Sequence, residues 1–203
     1  MSMKKALAGF MGLAAVLFAY WRWAPKPHSP ILLITIDTLR ADRLGAYGNR
    51  SIETPNLDRI AGEGILFSQA SATVPLTLPS HASILTGKYP FVHGVRDNGD
   101  FVLPDSIPTV AERLKANGYE TGAFVGSYVL ASRFGLNRGF DTYDDAFGVV
   151  HAGTQQTDAA ERRADQVITA AMSWLEQRTE HPFFCWIHLN DPHTPYDLSL
   201  IHI

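Results

Sequence analysis

Residues 31–37 read Ile-Leu-Leu-Ile-Thr-Ile-Asp, a short β-branched run with apolar residues on both faces that ends in an acid. That pattern predicts a buried parallel strand whose carboxyl end carries Asp37. Working outward, Thr54 precedes Pro55, and Leu57, Ile60 and Ala61 fall on one helical face before Gly64. A capped helix is expected there. Ile65–Phe67 reads as a return strand, and after the turn around Pro75 a second helix is expected from Thr77 to Gly87, with Ala82, Ile84 and Leu85 as its stripe. A third helix is predicted from Pro108 to Asn117, closed by Gly118, and a strand from Glu120 to Val125. Asp158 is placed to cap a long helix whose apolar positions are Ala160, Ala164, Val167, Ile168, Ala171, Trp174 and Leu175. Phe183–Leu189 is strand-like again. Strand and helix alternating in this order predict an α/β fold with a parallel or mixed sheet sandwiched by helices, and ligands beyond the carboxyl ends of its strands.

Composition narrows the function. The chain has 203 residues, 46% hydrophobic and 18% charged, which excludes collagen-like, coiled-coil and wholly disordered classes. Its net charge of -3, with no long run of Lys or Arg, gives no electrostatic footprint for nucleic acid. The single cysteine, Cys185, lies in an apolar run and reads as a buried inert thiol. At the other end of the chain, Lys4 and Lys5 precede an uncharged apolar stretch from Ala6 to Tyr20, closed by Trp21, Arg22 and Trp23. Residues 1–29 are therefore expected to be a signal peptide or membrane anchor plus linker, which places the protein outside the cytoplasm, periplasmic or extracellular, with membrane anchoring left open.

Three segments carry polar residues where the fold would place a site. Asp37-Thr38-Leu39-Arg40-Ala41-Asp42 follows the first strand, and Asp37 there is a metal ligand, a catalytic acid or base, or a capping turn residue. Thr77, in Leu76-Thr77-Leu78-Pro79-Ser80-His81, opens a helix, where its hydroxyl faces the positive end of the macrodipole; an N-cap is the plainer role. Free threonine is a poor nucleophile, so an enzyme requires Asp37 and Thr77 to converge on a cation. The last segment, His188 to Tyr196, holds two histidines and an acid; His188 within the strand is compatible with a core role, and His193 between two prolines is the better site candidate.

These segments together resemble the N-terminal part of the sulfatase family, within the alkaline phosphatase superfamily. The resemblance is carried by ITIDTLRADRLGAYG from Ile34, TPNLDRIAGEGILF from Thr54, TLPSHASILTGKYPFVHGV from Thr77, LKANGYETGAF from Leu114 and DPHTPY from Asp191. It implies an alkaline-phosphatase-like fold over residues 30–197, Asp37 as the first metal-binding acid, Thr77 at the nucleophile position and His193 at the histidine that contacts the ester. It also implies a divalent cation, calcium, zinc or manganese, held by Asp37 and Thr77. The sequence departs from the family where a second acid would follow Asp37, since Thr38 stands there, and where the signature arginine would stand, since His81 does. Thr77 also lacks the primary carbon from which the family's formylglycine forms.

The expected activity is thus a sulfatase-like, metal-dependent hydrolysis of an anionic sulfate or phosphate ester with a threonine nucleophile, with His193 and His81 assisting. A phosphotransferase of the same superfamily and a catalytically inactive binding domain are the alternatives. The family continues beyond such a segment, so the chain is expected to be a truncated copy, inactive alone, with residues 198–203 a non-native tail.

Overall fold

The computed structural model describes residues 29–147, 161–178 and 181–193. The expected leader, Asp158, Ala160 and the segment from Thr194 to Ile203 lie outside them. Among the described residues no helix is long and apolar enough to cross a membrane.

Among the described residues four parallel strands make one sheet in the order β1-β4-β2-β3: β1 is Ile31–Ile36, β2 Glu120–Val125, β3 Thr142–Asp144 and β4 Phe183–Leu189. The α-helices are α1 (Pro55–Glu63), α2 (Thr77–Thr86), the single turn α3 (Pro90–His93), α4 (Val110–Ala116) and α5 (Ala164–Leu175). β4 is central, and its register sets Ile36 beside Leu189 and Val125 beside His188. Beyond their first residues β2 and β4 are buried, and β4 carries the near-continuous apolar sequence that a strand covered on both faces needs.

The core divides between the two faces. On one, Leu78, Ala82 and Leu85 of α2 and Ala111 of α4 pack with Trp186, Phe184 and Phe134; on the other, Val167, Ala171 and Trp174 of α5 pack with Phe124, Cys185 and Ile187. Gly122 is required beneath α5, because a Cβ there would stand 2.7 Å from the Trp174 ring. α4 begins in a capping box, with Thr109 accepting from the Glu112 amide and Glu112 accepting from the Thr109 amide, and α2 ends on Gly87 in the left-handed region at φ 66°.

Three expectations are corrected. β1 is not buried on both faces: it is the outer strand among the described residues, with Ile31, Leu32 and Ile34 38%, 49% and 46% exposed. Ile65–Phe67 forms no strand, because three apolar residues with no neighbouring strand to pair with have nothing to hold a ladder. α1 has the predicted bounds, yet none of its residues is buried, and the Thr54 hydroxyl makes no N-cap bond. Instead Thr54 Oγ1 accepts from the Gly45 amide and donates to Asp58 Oδ1, tying α1 to the loop after β1.

Candidate functional site

The parallel register explains why residues far apart in sequence share one end of the sheet. β1 runs out at Ile36, and the Asp37 amide continues its ladder by donating to Leu189 O at 2.9 Å, so Asp37 stands level with the end of β4. The chain then turns at once through Thr38, whose φ of 54° is left-handed and strained for a β-branched residue. At that end of the sheet the first turn of α2 arrives with Thr77 at its first helical position. Thr77 Oγ1 donates to Asp37 Oδ2 at 3.0 Å.

Around this pair lies a cavity of about 590 Å³, lined among others by Thr35, Asp37, Thr38, Thr77, His81, Asn98 and His193. All four residues expected to act, Asp37, Thr77, His81 and His193, therefore border one space. Thr77 is not a capping residue: Leu76 occupies the N-cap position, and the Thr77 hydroxyl is turned to Asp37. The Leu78 amide is taken by Asn98 Oδ1 at 2.9 Å, Pro79 has no N–H, and the Ser80 amide bonds Leu76 O. Much of the expected anion-binding capacity of the helix start is thus already used within the protein.

Asn98 is the residue that sequence reasoning missed. Its side-chain oxygen is committed to Leu78, which leaves the two N–H donors of its Nδ2 group, and the residue lines the cavity. Asn98 lies in an Arg-Asp-Asn-Gly turn whose composition signals only a turn.

His81 is 6% exposed, and its Nδ1 lies 2.7 Å from Thr77 O. A carbonyl only accepts, so Nδ1 carries the proton and Nε2 presents a lone pair, with no hydrogen-bond partner among the described residues. Burial lowers the His81 pKa and keeps the ring neutral. The ring thus lacks the permanent positive charge of an arginine, and its Nε2 is enclosed in the protein. His193 sits in the turn after β4, its amide bonding Asn190 O at 2.8 Å and its Nδ1 3.6 Å from the Glu161 carboxylate.

The neighbouring acid, Asp191, has a structural task. Its Oδ2 accepts from the Ala164 amide at 2.7 Å, so it caps α5 from across the sequence where Asp158 was expected to do so. Cys185 is fully buried under α5, and burial pushes its thiol pKa up to about 12. That agrees with an inert thiol.

For a divalent cation, the described residues supply two adjoining donors, the Asp37 carboxylate and Thr77 Oγ1, and no group of three or more His, Cys, Asp or Glu arranged to hold a metal. A hard cation with about six oxygen ligands, some of them water, is compatible with that donor set as part of its shell.

The Sulfatase family model matches residues 29–199. Steryl-sulfatase of Rattus norvegicus is 40% identical over 116 residues, 52% of this chain and 20% of that protein. The chain thus spans about a fifth of the length of this curated relative. Among solved structures, BT4656 in complex with its substrate D-glucosamine-2-N,6-O-disulfate superposes with a TM-score of 0.69 at 27% identity, over 82% of this chain and 35% of that one. The phosphonate monoester hydrolase of Agrobacterium radiobacter shares the fold, with a TM-score of 0.68 at 22% identity over 85% of this chain and 43% of that one.

Proposed function

The chain belongs to the sulfatase family, and from that premise we propose that the protein hydrolyses an anionic sulfate or phosphate ester with Thr77 as nucleophile. The observation that carries this reading is the Thr77–Asp37 hydrogen bond at the wall of a cavity that also meets His193 and Asn98. Asp37 and Thr77 would hold a divalent cation, which supplies Lewis-acid polarisation of the ester and a lower pKa for the hydroxyl.

The chain's own residues do the rest. Thr77 Oγ1 is aimed by its bond to Asp37 Oδ2 and forms the new bond to sulfur or phosphorus as it gives up its proton toward that carboxylate, while the bond from that atom to the ester oxygen breaks and the alcohol leaves having gained one proton, so that the two transfers balance. The Nδ2 group of Asn98 donates to a non-bridging oxygen as charge develops. His193 donates to the ester oxygen or to the departing alcohol. Because Thr77 yields no formylglycine, its ester has no aldehyde to collapse to. Water must attack the same sulfur or phosphorus in a second step and return the Thr77 hydroxyl.

Lys4, Lys5 and the apolar run to Tyr20 support action after export, which a reporter fused after Pro30 tests. For the reaction, the experiment is steady-state hydrolysis of aryl sulfate, phosphate monoester and phosphodiester substrates by the full-length protein with added divalent cations, beside Thr77→Ala. Turnover of one class, lost in Thr77→Ala, is the expected result. Near-parental turnover by Thr77→Ala removes Thr77 from the mechanism, and turnover of none of the three classes removes the hydrolase reading.

A further inference from the structure

His188 sits in β4 with its side chain wholly inside the protein, directly behind Asp37. Its two ring nitrogens face different partners. Nδ1 lies 3.0 Å from Thr35 Oγ1 in β1. That same hydroxyl oxygen accepts the indole N–H of Trp186 at 3.1 Å. An indole N–H only donates, so Thr35 Oγ1 is an acceptor toward Trp186 and its own proton is available for His188 Nδ1. When Thr35 gives that proton to Nδ1, the His188 ring proton sits on Nε2.

Nε2 has no hydrogen-bond partner among the described residues and lies 3.7 Å from Asp37 Oδ2, the oxygen that accepts from Thr77. The gap is longer than a hydrogen bond, and a shift of well under 1 Å closes it. A buried donor left unsatisfied is costly, and the carboxylate is the acceptor standing in front of it. His81 packs edge-on against the His188 ring at 4.8 Å between ring centroids and restrains its tilt.

We propose that His188 is a positioning residue: its Nε2–H, oriented by the Trp186–Thr35 hydrogen-bond chain, holds Asp37 Oδ2 in line with Thr77 and leaves Oδ1 for the cation. Two strands therefore fix the acid from behind, β1 through its backbone and β4 through this ring. The inference rests on the reading of Asp37 as a cation-binding acid, and it assigns to β4 a part in the site that its apolar sequence conceals.

The test uses the approximate isosterism of amides with the two halves of imidazole. In His188→Gln the amide nitrogen falls near the position of Nε2; in His188→Asn it falls near Nδ1. Mn²⁺ affinity of the full-length protein, read from the free-ion electron paramagnetic resonance signal, is compared for the parent, Asp37→Asn, His188→Gln, His188→Asn and His188→Leu. His188→Leu and His188→Asn are expected to bind about 10- to 100-fold more weakly, the range for loss of an outer-shell partner, and His188→Gln to recover most of the affinity. Parental affinity in His188→Leu, or equal recovery by Asn and Gln, overturns the inference while leaving Asp37 as a ligand if Asp37→Asn is weakened. Unchanged affinity in Asp37→Asn, or no binding by the parent, overturns the cation site instead. Long-range ¹H–¹⁵N NMR of the His188 ring decides the donor arrangement without any cation: a proton on Nε2 is expected, and a ring protonated on Nδ1 alone overturns the inference. If His188→Leu does not fold, the Gln and Asn variants and the tautomer carry the decision.

Discussion

Thr77 Oγ1 donates to Asp37 Oδ2 across 3.0 Å, joining the first turn of α2 to a carboxylate 40 residues earlier at the end of β1. The bond explains how a strand end and a helix start become one unit. It also separates what the hydroxyl does for the fold from what it does for chemistry.

Thr77→Val keeps the branched shape and removes the donor. Losing one half-buried side-chain hydrogen bond costs about 1 kcal/mol, so the urea midpoint is expected to move little. Turnover on the best substrate is expected to fall at least about 10³-fold, as for loss of a nucleophile, and Thr77→Ser to keep much of it. A Thr77→Val protein that is badly destabilised and no slower per folded molecule would make Thr77 a structural residue.

Thr38 holds φ 54° directly after Asp37. A β-branched residue pays about 1–2 kcal/mol to stay left-handed, whereas asparagine tolerates that conformation. Thr38→Asn is expected to stabilise the protein by about 0.5–1 kcal/mol in urea titration, and Thr38→Val, as strained as the parent, to give no gain. If both variants unfold at the parental midpoint, the strain does not exist in solution.

His81, His93 and His188 are all buried, and burial lowers the pKa of each. In the unfolded chain they titrate near 6.5. As pH falls below that value the unfolded state takes up protons that the native state refuses, so stability decreases with falling pH, by at most about 1.4 kcal/mol per pH unit for each histidine. Above about pH 7 all three are neutral in both states and their contribution is level. Asp42 and Asp141 have lowered pKa values and lose their contributions only below the ordinary carboxylate range, so the interval from about pH 4.5 to 6.5 belongs to the histidines. Urea unfolding at pH 7.5, 6.5 and 5.5 checks this; stability that is constant or rises on acidification refutes it.

Cys185, with its thiol pushed up to about 12, stays protonated and enclosed at pH 8. A disulfide reagent such as DTNB is expected to leave it untouched in the native protein and to label it promptly in denaturant. Rapid native labelling would show that α5 does not stay seated on β4.

Elements whose apolar pattern faces a partner inside the described residues were legible from sequence: β2, β4 and α2 fall where periodicity puts them. Ile65–Phe67 was misread because apolar character signals a wish for burial and not a ladder, and Phe67 is 69% exposed. Asp37, Thr77 and His193 were legible as candidates because each is polar at a strand end or helix start, and the structure brings them to one cavity. Asn98 was not, since its importance comes from the Leu78 amide, 20 residues away, which no local pattern encodes. His188 hid for a related reason: one nitrogen is satisfied by a residue 153 positions distant, and the free one becomes visible only when β1 lies beside β4.

That last pairing has a consequence during synthesis. β1 is translated first, and its sheet partner among the described residues is β4, 153 positions later. At 5–20 residues per second, roughly 8–30 s pass before the partner exists. Through that interval Leu32 and Ile34 have no sheet to join, and Asp37 has nothing behind it. Asp37 thus leaves the ribosome well before the strand that stands behind it, and it can take its place beside Leu189 only once β4 has emerged.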